Sequence, residues 1–263
     1  MAEYMDQCQR IVGISAIPKR IISIVPSQTS LLDTLGLDQH IIGVTKFCVH
    51  PSEYLLTKEI IGGTKTLDIE KIRALKPDLI IANKEENVQE QIDALQEFCP
   101  VWVSDISNLT DALQMISQIA EITGTQAEAL ELTADIELVF SNYVKPEQKL
   151  RVLYLIWRKP YMSVGGDTFI HDMLDRAGFD NIFGHLERYP VIDLDLMRAE
   201  KPDIVFLSSE PFPFAQKHIE ELEAICVDAR ILLVDGEMFS WYGSNLLKAP
   251  AYFEHLKQII VSK

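Results

Sequence analysis

The run from Thr125 to Val144 constrains the fold more than any other stretch of the chain. No glycine or proline interrupts it before Pro146. Ala129, Leu132, Ile136, Val139 and Tyr143 fall at spacings of three and four, so they line one helix face. Ala127, Leu130, Ala134 and Leu138 make a second apolar stripe beside it. Thr125, with Glu128 three residues on, is a capping-box arrangement. A helix of about 20 residues is about 30 Å long, the diameter of a small domain. The run therefore predicts a rod that joins two lobes and packs against both. Helix pattern alone is equally compatible with one more amphipathic helix in a single α/β domain.

A repeat on either side of the rod favours two lobes. Ile72-Arg73-Ala74-Leu75-Lys76-Pro77-Asp78-Leu79-Ile80-Ile81 recurs as Met197-Arg198-Ala199-Glu200-Lys201-Pro202-Asp203-Ile204-Val205-Phe206. Each copy reads as a helix end, a Lys-Pro-Asp turn and a short buried strand. One long internal period suggests two similar lobes; a solenoid needs many short ones. The expected division is residues 1–124, a connecting helix over 125–145, and residues 146–263. Within each lobe, strands alternate with helices, which predicts a parallel-sheet α/β architecture.

Length and charge bound the function. The chain has 263 residues, is 48% hydrophobic and carries a formal net charge of −15, so it can bury a large core but offers no basic surface to nucleic acid or anionic membranes. No apolar run approaches a bilayer span. Met1 to Arg10 lacks the basic end, apolar core and cleavage site of a secretion signal. A cytoplasmic location follows if Met1 is the native start, and a periplasmic or cell-surface one if a signal has been removed. Cys8, Cys48, Cys99 and Cys226 are far apart and form no CxxC pair, which argues against a zinc site or a disulfide framework.

Ligands of open parallel sheets bind beyond the carboxyl ends of the strands. In the first half the loops there carry Ser27, Gln28, Phe47, Cys48, His50, Lys84 and Glu85. In the second half they carry Trp157, Arg158, Tyr161, Glu210, Phe212, Phe214, Trp241 and Tyr242. Aromatic loops with a few charges suit a flat, partly apolar ligand, although aromatics also seal sheet ends. Cys48 and His50 are candidate metal ligands, but a pair without a third is weak, and a lone cysteine is more often buried and inert. Arg158 and Arg188 are candidates to pair with ligand carboxylates or phosphates, or with surface acids. Gly62-Gly63-Thr64-Lys65 lacks the spacing of a P-loop, and no G-x-S-x-G, H-E-x-x-H or G-x-G-x-x-G is present.

The motifs Ile21-Ile22-Ser23-Ile24-Val25-Pro26-Ser27, Leu35-Gly36-Leu37, Ile42-Gly43-Val44-Thr45, Gly62-Gly63, Leu67-Asp68-Ile69-Glu70-Lys71-Ile72 and Leu75-Lys76-Pro77-Asp78 occur in this order. With Gly178-Phe179-Asp180-Asn181-Ile182-Phe183 and Lys201-Pro202-Asp203, they resemble the helical-backbone metal-chelate receptors. These are solute-binding proteins of ABC importers for cobalamin, haem and ferric siderophores, and the cobalamin-binding branch is the most similar. The resemblance covers nearly the whole chain. It implies two α/β lobes joined by one long rigid helix, with a ligand cleft between the lobes. It further implies a monomer without enzymatic activity or cofactor, a metal chelate as ligand, and an ABC permease as partner. One acidic residue from each lobe docks the permease in this family, and Glu70 and Asp180 match those positions. Two features depart from the pattern: no signal or lipid-anchor cysteine precedes the first strand, and Thr64 or Lys65 stands where cobalamin receptors place an aromatic residue. A cytosolic corrinoid or metal carrier, or an enzyme using His50, Cys48 or Glu210, are the alternatives.

Overall fold

A computed structural model describes residues 2–262 of the chain. The chain divides into two compact units. Unit 1 comprises Met1–Ile106, Thr110–Glu137 and Tyr242–Asn245; unit 2 comprises Ser107–Leu109, Leu138–Trp241 and Leu246–Lys263.

Unit 1 opens with an antiparallel hairpin, β1 (Ala2–Met5) against β2 (Ile11–Ile14). Its turn is organised by the buried Asp6 carboxylate, which accepts hydrogen bonds from the backbone N–H groups of Cys8 and Arg10 and from the Arg10 guanidinium. There follow β3 (Ile21–Ser23), α1 (Pro26–Thr34), β4 (Ile41–Val44), α2 (Tyr54–Thr57), β5 (Glu59–Ile60), β6 (Gly62–Gly63), β7 (Thr66–Leu67), α3 (Ile69–Leu75), β8 (Leu79–Asn83), α4 (Gln89–Gln96), β9 (Val101–Ser104), α5 (Leu109–Thr123) and α6 (Gln126–Asn142). Five strands form a parallel sheet in the order β5-β4-β3-β8-β9. Strands β3, β8 and β9 are buried along their whole length, which explains why they read as apolar runs.

Unit 2 runs β10 (Leu150–Leu155), α7 (Phe169–Ala177), β11 (Phe179–Asn181), α8 (Leu194–Glu200), β12 (Ile204–Ser208), α9 (Gln216–Glu223), β13 (Arg230–Val234), α10 (Glu237–Ser240) and α11 (Ala249–Val261). Its four strands are parallel in the order β11-β10-β12-β13. Alternation along the strands gives the sheet two different faces. Leu153, Leu155, Val205, Leu207 and Ile231 join one mixed hydrophobic core, whereas Tyr154 and Phe206 meet Phe179 and Phe239 on the other face. Gly178 ends α7 in the left-handed region, at φ 87°, and a Cβ there would lie 2.2 Å from Pro146 Cδ, so glycine is required twice over.

The sequence repeat is also a structural one. Asp68 caps α3 by accepting from the Lys71 N–H, and Asp193 caps α8 by accepting from the Leu196 N–H. Both helices span seven residues and end on a left-handed lysine, Lys76 at φ 50° and Lys201 at φ 46°. The Asp after each proline then clamps the start of the unit's first parallel strand: Asp78 accepts from the N–H groups of Lys19 and Arg20, and Asp203 from that of Arg151. Lys-Pro-Asp thus stops a helix and fixes a strand register in one step.

The rod is the helix α6, three residues shorter than the Thr125–Val144 run, and its residues contribute to both units. Ala129, Leu132 and Ile136 are buried as predicted. The second stripe is not: Leu130 is 73% and Leu138 56% exposed. At about 100° per residue, that stripe lies on the far side of the helix from Ala129 and Ile136. Among the described residues no helix is long and apolar enough to cross a membrane.

Candidate functional site

In unit 1 the strand order reverses between β3 and β8, so the loops leaving those strands flank the crevice expected to hold a ligand. Buried polar side chains build its floor. Ser104, at the end of β9, receives hydrogen bonds at its Oγ from Gln28 Nε2 (2.6 Å) and Asn83 Nδ2 (3.0 Å), and donates to the Ala82 carbonyl. Asn83 Oδ1 accepts from the N–H groups of Glu85 and Glu86, and Asn87 Nδ2 bridges the carbonyls of Ile24 and Thr64. These amides hold the loops after β3, β8 and β9, together with the β6–β7 hairpin, in one arrangement.

This geometry reassigns several predicted contacts. Gln28 is fully buried and serves the floor, and Ser27 is buried beside it. Cys48 is fully buried too, with Thr29 Oγ1 donating to its Sγ at 3.1 Å and Thr45 Oγ1 sharing a hydrogen bond with it at 3.2 Å. Burial pushes its thiol pKa up. It is therefore a small packed hydrophobe bonded to two threonines, not an offered thiolate. His50 is exposed two residues on. Lys84 is exposed and pairs with Asp105. Phe47 is half exposed, with Lys46 Nζ 5.1 Å from its ring centroid.

The two-glycine loop has a steric role. Gly62 has φ 105°, and a Cβ there would lie 2.4 Å from the Thr66 carbonyl. A Cβ on Gly63 would come 3.1 Å from the Phe47 ring. No aromatic residue stands at Thr64 or Lys65, yet an aromatic ring reaches this hairpin from the preceding loop.

In unit 2 the order reverses between β10 and β12. A tight turn extends β10, with the Met162 N–H donating to the Trp157 carbonyl at 3.1 Å. Trp157 is 40% exposed and meets Phe212, from the loop after β12, edge-on at a centroid distance of 5.7 Å. Phe212 packs on Phe214 at 4.8 Å, and both rings lie 5.4 Å from His218. The result is an aromatic ledge, with Trp157 exposed and Phe212 half-buried, on a base of buried Phe214 and His218. Arg158 is not a free ligand clamp: its Nε and Nη2 both donate to Glu221 Oε2, and the Tyr161 hydroxyl donates to Glu221 Oε1. Burial, reinforced by Glu221, pushes the Tyr161 pKa up to about 12.

Glu210 likewise serves the structure. Its Oε1 accepts from Ser240 Oγ at 2.5 Å and Trp241 Nε1 at 2.9 Å, joining the loops after β12 and β13. Trp241 is buried, and Tyr242 is buried in unit 1, where Ser244 Oγ lies 3.2 Å from Ser30 Oγ. Arg188 is exposed, with φ 56°, and its N–H donates to Asp167 Oδ1, next to Thr168, which caps α7 by accepting from the His171 N–H. Glu70 stands in the first turn of α3, 85% exposed in its side chain. Asp180 is exposed on strand β11, opposite Arg151. The structural counterpart of Glu70 is Asp195, in the first turn of α8 and 94% exposed. Among the described residues, no group of three or more His, Cys, Asp or Glu side chains converges to hold a metal ion.

Comparison with known proteins agrees with this architecture. A family model described as periplasmic binding protein matches residues 21–224. The vitamin B12-binding protein of Vibrio campbellii is 26% identical over 196 residues, covering 72% of this chain and 70% of its own. The crystal structure of the periplasmic vitamin B12 binding protein of Vibrio cholerae superposes with a TM-score of 0.78 at 20% identity, covering 92% of this chain and 99% of its own. The periplasmic heme binding protein of Vibrio cholerae gives a TM-score of 0.76 at 21% identity, covering 92% and 98%.

Proposed function

The chain belongs to the periplasmic binding protein family, whose members are substrate-binding proteins and not enzymes, and from that premise we propose that it is a receptor for a metal chelate. The ligand class is a corrinoid, haem or ferric siderophore, delivered to an ABC importer from outside the cytoplasmic membrane. One observation carries this reading: the aromatic ledge at the switch point of the unit 2 sheet, where exposed Trp157 meets half-buried Phe212. An aromatic ledge suits a flat, partly apolar ligand, and stacking on it needs no ligating side chain from the protein. The half-exposed Phe47, at the carboxyl end of the unit 1 sheet, offers a third ring. The similarity to vitamin B12- and heme-binding proteins supports the class without choosing within it.

Delivery requires a contact with the permease. We assign it to Glu70 and Asp195, the matching carboxylates of the two repeated helices. Each is exposed in a first helical turn, where a carboxylate is favoured. Each pairs with an exposed arginine of its own helix, Asp195 with Arg198 at 2.8 Å and Glu70 with Arg73 at 3.9 Å, weak surface pairs that an arginine of the permease can replace. Asp195 replaces Asp180 in this role because it occupies the place in α8 that Glu70 occupies in α3.

The test is titration with hydroxocobalamin, haemin and a ferric hydroxamate, followed by visible absorbance. Saturable one-to-one binding of one of them is expected, with at least tenfold weaker binding in Trp157→Ala. Absence of saturable binding to all three contradicts the reading.

A further inference from the structure

Glu221 lies on α9, outside the loops to which the ligand is assigned, yet it ties down the exposed turn that carries Trp157. Arg158 donates to its Oε2 from Nε at 3.1 Å and from Nη2 at 2.6 Å, and the Tyr161 hydroxyl donates to Oε1 at 2.8 Å. Arg158 and Tyr161 stand at opposite ends of the turn tip, inside the bond between Trp157 and Met162. One carboxylate therefore closes the turn from both ends. The pairing is charge-assisted, and Arg158 holds the Glu221 carboxyl below the usual carboxylate range. The same helix braces the other half of the ledge. His218 Nδ1 accepts from the Ala215 N–H at 2.8 Å, and its ring lies against Phe212 and Phe214.

We propose that Glu221 is a positioning residue for ligand binding. It holds the turn from Trp157 to Tyr161 in binding geometry before a ligand arrives, and it occupies Arg158. The ledge then presents an aromatic face and a neutralised ion pair instead of an unpaired guanidinium. The link to ligand binding rests on the proposed function; the brace itself does not. Fixing two long side chains and a four-residue tip in advance removes an ordering cost from binding.

The test uses the full chain labelled with 5-fluorotryptophan and read by fluorine NMR without ligand. The chain has three tryptophans, and Trp157→Phe assigns the signal of interest. Glu221→Gln removes the charge and keeps an amide oxygen for Tyr161. It is expected to shift or broaden the Trp157 signal and leave that of Trp102, in unit 1, in place. Arg158→Gln is expected to do the same. Hydroxocobalamin and haemin titrations should then show affinity lowered by about tenfold in Glu221→Gln. A Trp157 signal unmoved in both variants overturns the proposal, even if affinity falls. If the parent protein binds none of hydroxocobalamin, haemin and a ferric hydroxamate while the Trp157 signal moves, the ligand assignment falls and the brace stands.

Discussion

Asn83 is the residue on which the floor of the unit 1 site depends most. Its side chain is 2% exposed. Oδ1 accepts from the Glu85 N–H at 2.9 Å and the Glu86 N–H at 3.1 Å, while Nδ2 donates to Ser104 Oγ at 3.0 Å and to the Ser104 carbonyl at 3.3 Å. Asn83→Ala deletes all four bonds. Each is worth about 0.5–1.5 kcal/mol net. The Glu85 and Glu86 N–H groups sit in a loop and can turn to water, which softens their share. The Ser104 atoms are buried and cannot. The expected loss is about 2–4 kcal/mol. Trp102, fully buried on β9, reports the transition of unit 1 when Trp157 and Trp241 are both replaced by Phe. In urea the midpoint should fall by roughly 1–2 M with little change in slope. Asn83→Asp keeps the acceptor for the loop but places a charge against the Ser104 carbonyl, so it should be no better tolerated. A loss below about 1 kcal/mol for Asn83→Ala, well under the sum expected for four bonds, would refute the account of the floor.

Cys48 should resist alkylation in the folded protein, and Cys48→Ala should cost about 1–2 kcal/mol while leaving the visible spectrum of a bound chelate unchanged; an altered spectrum would return the thiol to the ligand set. Asp175 is held at about 2 by its hydrogen bonds to Lys149 and Lys145, below the ordinary 3.8. A depressed carboxylate pKa stabilises the fold above the unfolded value, and that stability is lost as pH falls through the folded value. The side chain is 46% exposed, so its contribution is below about 1 kcal/mol; the stability gap between the parent and Asp175→Asn should close between pH 4 and pH 2, and a gap that persists there contradicts the pairing. Glu70→Lys and Asp195→Lys should each lower permease-dependent uptake and leave chelate affinity intact, whereas Asp180→Lys should change neither uptake nor affinity; equal loss of uptake in Asp180→Lys would restore the strand residue to the docking surface.

The elements were legible because their causes are local. Buried parallel strands such as Leu79–Asn83 read as apolar runs, and Lys-Pro-Asp marked the helix-to-strand turns in both halves. The repeat, followed two turns back from each proline, also pairs Glu70 with Asp195, but only the capped helices make that pairing visible. Which loop side chains face solvent was not legible. Residues such as Gln28, Cys48 and Glu210 stand at the carboxyl ends of strands, where ligands bind, yet their partners are distant in sequence: Ser104 for Gln28, Thr29 for Cys48, Trp241 for Glu210. The polar residues that build the floor, Asn83, Asn87 and Ser104, gave one faint signal, an amide or hydroxyl closing an apolar strand. Glu221 gave none, because a glutamate on an exposed-looking helix is the commonest of surface residues.

The central claim is that the chain binds a chelated metal and supplies no metal site of its own. Native mass spectrometry of the protein mixed with hydroxocobalamin, haemin, a ferric hydroxamate and free ferric, cobaltous and zinc ions tests it in one experiment. The account predicts a single one-to-one adduct with the mass of an intact chelate, reduced in Trp157→Ala, and no adduct with a bare ion. A stable bare-ion adduct, or no chelate adduct at any concentration tried, would contradict it.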